Sequence, residues 1–150
     1  MARAATAAVL GAAVLLLAGC GGGSSSTSTP YVQQVDAVAG GLNAVTNTLY
    51  TPTDATAAAS ELATLQVALR KASRQLAAIT PPAAVRGPHE RLVAALSELA
   101  NEVGPVIQKL KTGNFAGYDG AFALKAADQA RAAIAEIKKA GYPIQVQLLD

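Results

Sequence analysis

Residues 80–96 read TPPAAVRGPHERLVAAL, and the parsing of this stretch decides the fold. Pro81 and Pro82 lack the backbone N–H that a helix interior needs, so a helix arriving from upstream must stop there. Gly87 and Pro88 then precede His89, Glu90, Arg91, Leu92 and Val93, a run without a breaker. Proline suits the first turn of a helix, where its missing donor would be unpaired anyway, so Pro88 reads as a start. The stretch is a break between two helices.

Working outward, the apolar residues on both sides repeat at steps of three and four. Upstream, over residues 52–79, they are Ala58, Leu62, Leu65, Leu69, Ala72, Leu76 and Ile79. Downstream, over residues 88–111, they are Leu92, Leu96, Leu99, Val103, Val106 and Leu110. Such spacing holds one stripe on one face of a helix, and that stripe seeks burial. An earlier helix over residues 31–50 carries Val35, Val38, Leu42, Val45 and Leu49 in the same rhythm. A fourth, over residues 115–140, is less regular: Phe122, Ala126, Ala130, Ile134 and Ile137 form its stripe, while Gly117 and Gly120 weaken its first turns.

The breaks are marked by turn and cap chemistry. Thr51, Pro52 and Asp54 read as N-cap, first helical residue and first-turn acid of the second helix. Thr112, Gly113 and Asn114 end the third and offer a cap to the fourth, which closes on Lys138, Lys139 and Gly141. Three fairly short connections favour antiparallel neighbours. The expected fold is all-α, an up-down-up-down antiparallel four-helix bundle over residues 31–150. Residues 143–150 read as a tail packed along it. Gly104-Pro105 lies inside the third helix, where a kink is expected and a hinge or an opening into the core is the sharper alternative.

Composition agrees with helices and narrows the function. Of 150 residues, 51% are hydrophobic, many of them alanine, and the aromatics are four Tyr and two Phe. Alanine loses no side-chain entropy in a helix. A formal charge of +2 gives no concentrated basic face, so no nucleic-acid partner is expected. The lone cysteine, Cys20, cannot form an internal disulfide.

Cys20 has a different reading. Arg3 supplies a positive tip, residues 4–18 run apolar and uncharged, and small residues follow, which is the layout of a secretory signal. About fifteen apolar residues fall short of the roughly 20 that span a bilayer. Leu17-Ala18-Gly19-Cys20 resembles the bacterial lipobox. That resemblance implies cleavage between Gly19 and Cys20 and attachment of a diacylglycerol to the Cys20 thiol. Two acyl chains suffice for stable anchoring. The bland alternative is an uncleaved membrane helix with an incidental cysteine. The expected organisation is a signal peptide over 1–19, the lipidated cysteine and a Gly/Ser/Thr tether over 20–30, then the bundle. Such a tether has a typical reach of roughly 17 Å. The folded part is expected on the extracytoplasmic face of a cell membrane, close to the lipid.

Candidate binding residues fall at the two ends of the bundle. His89, the one histidine, continues the buried stripe one step before Leu92. The topology puts it near Tyr31 and Tyr142 at the membrane-proximal end. It is expected to be a structural histidine bonded to a tyrosine or to a carbonyl of the loop before Pro88, with a ligand or pH-sensing role as the alternative. Tyr50, Phe115, Tyr118 and Phe122 gather at the distal end as a capping minicore, or as a small apolar pocket or partner-facing patch. Glu98 and Glu102 lie off the stripe and read as solvated. Arg70, Lys71 and Arg74 form the densest basic group, a solvent face or a contact with lipid headgroups. Ala37, Gly41, Ala44 and Thr48 make a small-residue line on the first helix, for tight packing within the bundle or for a second chain. No metal set, phosphate loop, catalytic triad or Cys-x-x-Cys emerges, so neither an enzyme nor a cofactor is expected.

The stretch 80–96 and the KKAGY that ends the fourth helix also resemble uncharacterised alanine-rich lipoproteins of high-GC bacteria. That resemblance carries no activity to transfer. Two functions stay open: a non-enzymatic module that binds another envelope protein or polymer, and a carrier or sensor of a small apolar ligand held in the core.

Overall fold

The computed structural model describes residues 29–49, 52–115, 118 and 124–148. These hold four α-helices and no strand: α1 Pro30–Thr46, α2 Ala55–Ala77, α3 Arg86–Lys111 and α4 Lys125–Lys139. A 3₁₀ turn, Ala83–Val85, follows Pro81-Pro82 and leads into α3. The lipobox residues Gly19 and Cys20, and the distal Tyr50 and Phe122, lie outside the described residues.

Three of the four helices start where a side-chain acceptor stands. Thr29 caps α1, its hydroxyl accepting from Val32 N–H at 3.3 Å with Pro30 in the first turn. For α2 the cap is Asp54; Thr51, expected in that role, lies outside the described residues. The Asp54 carboxylate accepts from Thr56 and Ala57 N–H, both at 2.9 Å, and this double acceptance starts the helix three residues later than the spacing predicts. α3 begins two residues before Pro88. The first turn of a helix leaves its N–H groups without intrahelical partners, so Pro88 fits inside it.

The largest departure is α4, which starts at Lys125 rather than Phe115. Tyr118 N–H bonds to the Phe115 carbonyl at 3.0 Å, a turn in place of a helix. The Leu124 cap position offers no side-chain acceptor, and Glu102 on α3 supplies one, its carboxylate accepting from Ala126 N–H at 3.3 Å. Glu102 is therefore half-buried and engaged, which corrects its reading as solvated. An acid at a helix N-terminus also meets the positive end of the dipole. α3 and α4 end alike. Gly113 (φ 83°) and Gly141 (φ 92°) adopt the left-handed conformation, and the next residue's N–H reaches back to Lys109 and Ile137 respectively.

α1 packs on α2, α2 on α3 and α3 on α4. Leu62, Leu69, Leu76, Leu92, Leu96, Leu110 and Ile137 are fully buried between them. Each such side chain contributes about 2 kcal/mol relative to exposure. Hydrogen bonds record the register. Ser73 Oγ donates to the Val93 carbonyl at 2.9 Å, and Gln66 Nε2 to the Ala100 carbonyl at 2.6 Å. The second of these reaches the turn before Gly104-Pro105, where the proline ring disturbs the helical ladder. Pro105 cannot donate to the Asn101 carbonyl, one residue beyond the Gln66 contact, and α3 runs on through it. The fourth helix is shorter than expected, and the chain after it completes the seam with α1.

That segment, residues 143–148, is extended and alternates: Ile144 and Val146 are buried while Gln145 and Gln147 face out. Two side chains of α1 hold its backbone. Asp36 accepts from Gln145 N–H at 2.6 Å. The Asn43 amide donates to the Gln145 carbonyl at 3.1 Å and accepts from Gln147 N–H at 3.2 Å. Asp36 and Asn43 are two helical turns apart, so they sit on one face at a spacing that an extended chain can match. The tail is thus packed on the bundle, as its sequence suggests.

Candidate functional site

Four chain segments converge at the end where α1 begins. Tyr31 comes from the first turn of α1, Leu76 from the last turn of α2 and His89 from the first turn of α3. Tyr142 follows the left-handed Gly141 that closes α4. His89 is 3% exposed and Tyr31 5% exposed. The Nε2 of His89 lies 3.0 Å from the Leu76 carbonyl and its Nδ1 3.0 Å from the Tyr31 hydroxyl. A carbonyl only accepts, which assigns the proton to Nε2 in the neutral ring. Nδ1 then accepts from the Tyr31 O–H.

The relay therefore runs from phenol to imidazole to carbonyl, and it spends every polar atom of the imidazole. The Tyr31 ring meets His89 edge-on at 5.6 Å and Tyr142 at 5.5 Å with an interplanar angle of 90°. Such edge-to-face pairs add about 1 kcal/mol beyond burial. Burial pushes the Tyr31 phenol up to about 12, and the adjacent Tyr142 phenol adds to the effect. Chemically this is a clamp. His89 has no free nitrogen to offer a substrate, although a cleft of about 270 Å³ opens beside it between Ile79, Pro81, Arg86, Glu90 and Val93.

The structure brings Tyr31, His89 and Tyr142 together, as their spacing along the helices suggests. The carbonyl partner differs from the expectation: it belongs to Leu76 in α2, not to the loop before Pro88. The Leu76 carbonyl also accepts from Ile79 N–H at 2.9 Å, so its two lone pairs serve the backbone turn and the imidazole. At the far end Phe115 and Tyr118 stack at 5.7 Å, with Phe115 41% exposed. Their expected neighbours Tyr50 and Phe122 lie outside the described residues.

A second surface runs along α1 and α2. Ala37, Gly41, Ala44 and Thr48 are all exposed, which removes tight packing within the bundle as their role. A side chain grown on Gly41 would meet nothing within 4 Å. Beside this line a groove of about 440 Å³ passes between Val38, Leu42 and Val45 of α1 and Val67, Ala68 and Lys71 of α2. Val67 is 66% exposed on its wall. The cue for Val67 was its place off the α2 stripe. Asp36, Asn43, Gln66 and Glu102, which hold the tail, the α2–α3 contact at Ala100 and the start of α4, have no cue in a single sequence. Among the described residues no cluster of His, Cys, Asp and Glu has the makings of a metal site, and no helix is long and apolar enough to cross a membrane.

No protein-family model, curated protein or solved structure matches the chain.

Proposed function

We propose that the protein is a lipid-anchored binding module on the extracytoplasmic face of a cell membrane, without catalytic activity of its own. The lipobox Leu17-Ala18-Gly19-Cys20 supports the anchor. We read the fold as an up-down-up-down bundle. The pairing of Gln66 with Ala100, Ser73 with Val93 and Leu76 with His89 supports this, since residues later in α2 meet residues earlier in α3.

The observation that carries the binding role is the exposed small-residue line of α1 beside the α1–α2 groove. Small side chains let another backbone come close, and a groove between two helices suits a third. The occupant that fits is an apolar helix of another envelope protein.

A photocrosslinker at position 67 of the full chain, in cells, tests the reading. One discrete adduct is expected, reduced at least about tenfold when Ala37→Glu and Gly41→Glu are combined, since one buried unpaired charge costs that much. Both positions are exposed, so the melting temperature should hold within about 2 °C. Adducts that survive the double substitution, or a double variant that unfolds, contradict the proposal.

A further inference from the structure

We infer that the end of the bundle where the tether enters is a cationic face that lies against anionic lipid headgroups. The inference rests on the anchored reading above. The Tyr31–His89–Leu76 contacts and the Tyr142 ring define this end physically: α1 and α3 start there, α2 and α4 finish there. Residue 29, the first described, is also there, so the chain that leads back to Cys20 leaves from this end.

Charge is divided unevenly along the bundle. Arg70, Lys71, Arg74, Arg86, Lys138 and Lys139 cluster at this end, all exposed and none in an ion pair among the described residues. Against them stands Glu90. Asp36 adds a second negative charge, which the hydrogen bond from the neutral Gln145 N–H leaves in place, while Glu136 is paired with Arg91. Glu98 stands at mid-length of α3, and beyond it Lys109, Lys111, Lys125 and Arg131 are matched by Asp54, Glu61, Glu102 and Asp128. A formal charge of only +2 for the whole chain hides this uneven layout.

Helix electrostatics explain only part of it. Arg74, Lys138 and Lys139 stand in last turns, where cations offset the helix dipole. Arg70 and Lys71 are further in. Arg86 is the first residue of α3, where the dipole disfavours a cation. These three call for a different partner. At 1.5 Å per residue Arg70 sits about 9 Å above Leu76, close to one Debye length of roughly 8 Å at physiological ionic strength. The tether's reach of roughly 17 Å lets the whole end settle on a bilayer. Each basic residue near an anionic surface adds attraction. The effect is orientation: the distal end is held away from the lipid, and the α1–α2 groove, with Lys71 on its wall, opens sideways.

The six lysines, three at each end, report on this directly. The full chain purified from membranes is placed in nanodiscs of phosphatidylcholine alone or with about 30% phosphatidylglycerol, and amine acetylation is followed residue by residue. Lys71, Lys138 and Lys139 should label at least about threefold more slowly on the anionic discs, with the difference lost in about 0.5 M salt. Lys109, Lys111 and Lys125 should label equally on both. Equal labelling of the first three on both discs overturns the inference. The mass of the N-terminal peptide in the same samples reads the anchor separately. An acylated Cys20 with equal labelling sinks the orientation and leaves the anchor. Slowed labelling with an unmodified Cys20 does the reverse. Arg70→Gln with Arg86→Gln, both exposed, should reduce the protection of Lys138 and Lys139 without moving the far-end lysines.

Discussion

At the scale of single residues, the Tyr31–His89 pair shows how a titratable side chain becomes structural. His89 could have been a ligand. What decides otherwise is that both of its nitrogens are engaged inside an apolar end, one by a phenol and one by the Leu76 carbonyl. Tyr31→Phe keeps the ring and removes the donor to Nδ1, and should cost about 1–3 kcal/mol in chemical denaturation at neutral pH. The alkaline limb offers a sharper check. The folded-state pKa of Tyr31 is raised to about 12 from 10.0, so the folded protein keeps a proton that the unfolded chain releases. The stability tied to this group is intact below pH 10 and is lost as pH climbs through about 12, by about 3 kcal/mol at most. The wild type should therefore lose more stability than Tyr31→Phe between about pH 10 and 12. Parallel pH profiles for the two would contradict the buried phenol.

Among the secondary elements, the tail and α4 depend most on contacts remote in sequence. Asp36 and Asn43 hold the backbone of residues 145 and 147, so Asp36→Ala with Asn43→Ala should speed hydrogen exchange at the Gln145 and Gln147 amides by more than tenfold. Exchange in α3 should stay as it was. Gly141→Ala is a separate matter. At φ 92° a side chain is strained by about 1–2 kcal/mol, and the melting temperature should fall although no neighbour lies within 4 Å to clash. How much of this was legible follows from what each element relies on. α2 and α3 announce themselves through uninterrupted stripes from Ala58 to Leu76 and from Leu92 to Leu110, and the break at Pro81-Pro82 is local chemistry. The convergence of Tyr31, His89 and Tyr142 was legible too, since it follows from the helix ends. The start of α4 was not, because its N-terminal acceptor, Glu102, comes from another helix. Nor was the cap of α2: Thr51 and Asp54 both suit the role, and the carboxylate that accepts two N–H groups prevails.

Taken as a whole, the molecule has two ends of different character and one open flank. The end at α1's start holds the buried Tyr31–His89 contacts and carries an excess of basic residues outside. The distal end is balanced in charge and carries the exposed Phe115. Along the side, α1 is the thinly covered member, packed on α2 and strapped by the tail, with its small residues turned outward. The module proposed above, standing on a membrane with a helix groove presented sideways, unites these features. Everything in that account depends on the chain being anchored through Cys20. The intact mass of the protein from the membrane fraction of its own cells tests this most directly. The account predicts a chain that begins at Cys20, lacks the first nineteen residues and carries a diacylglycerol on the thiol. A mass that corresponds to a chain beginning at Met1 with an unmodified cysteine would contradict it.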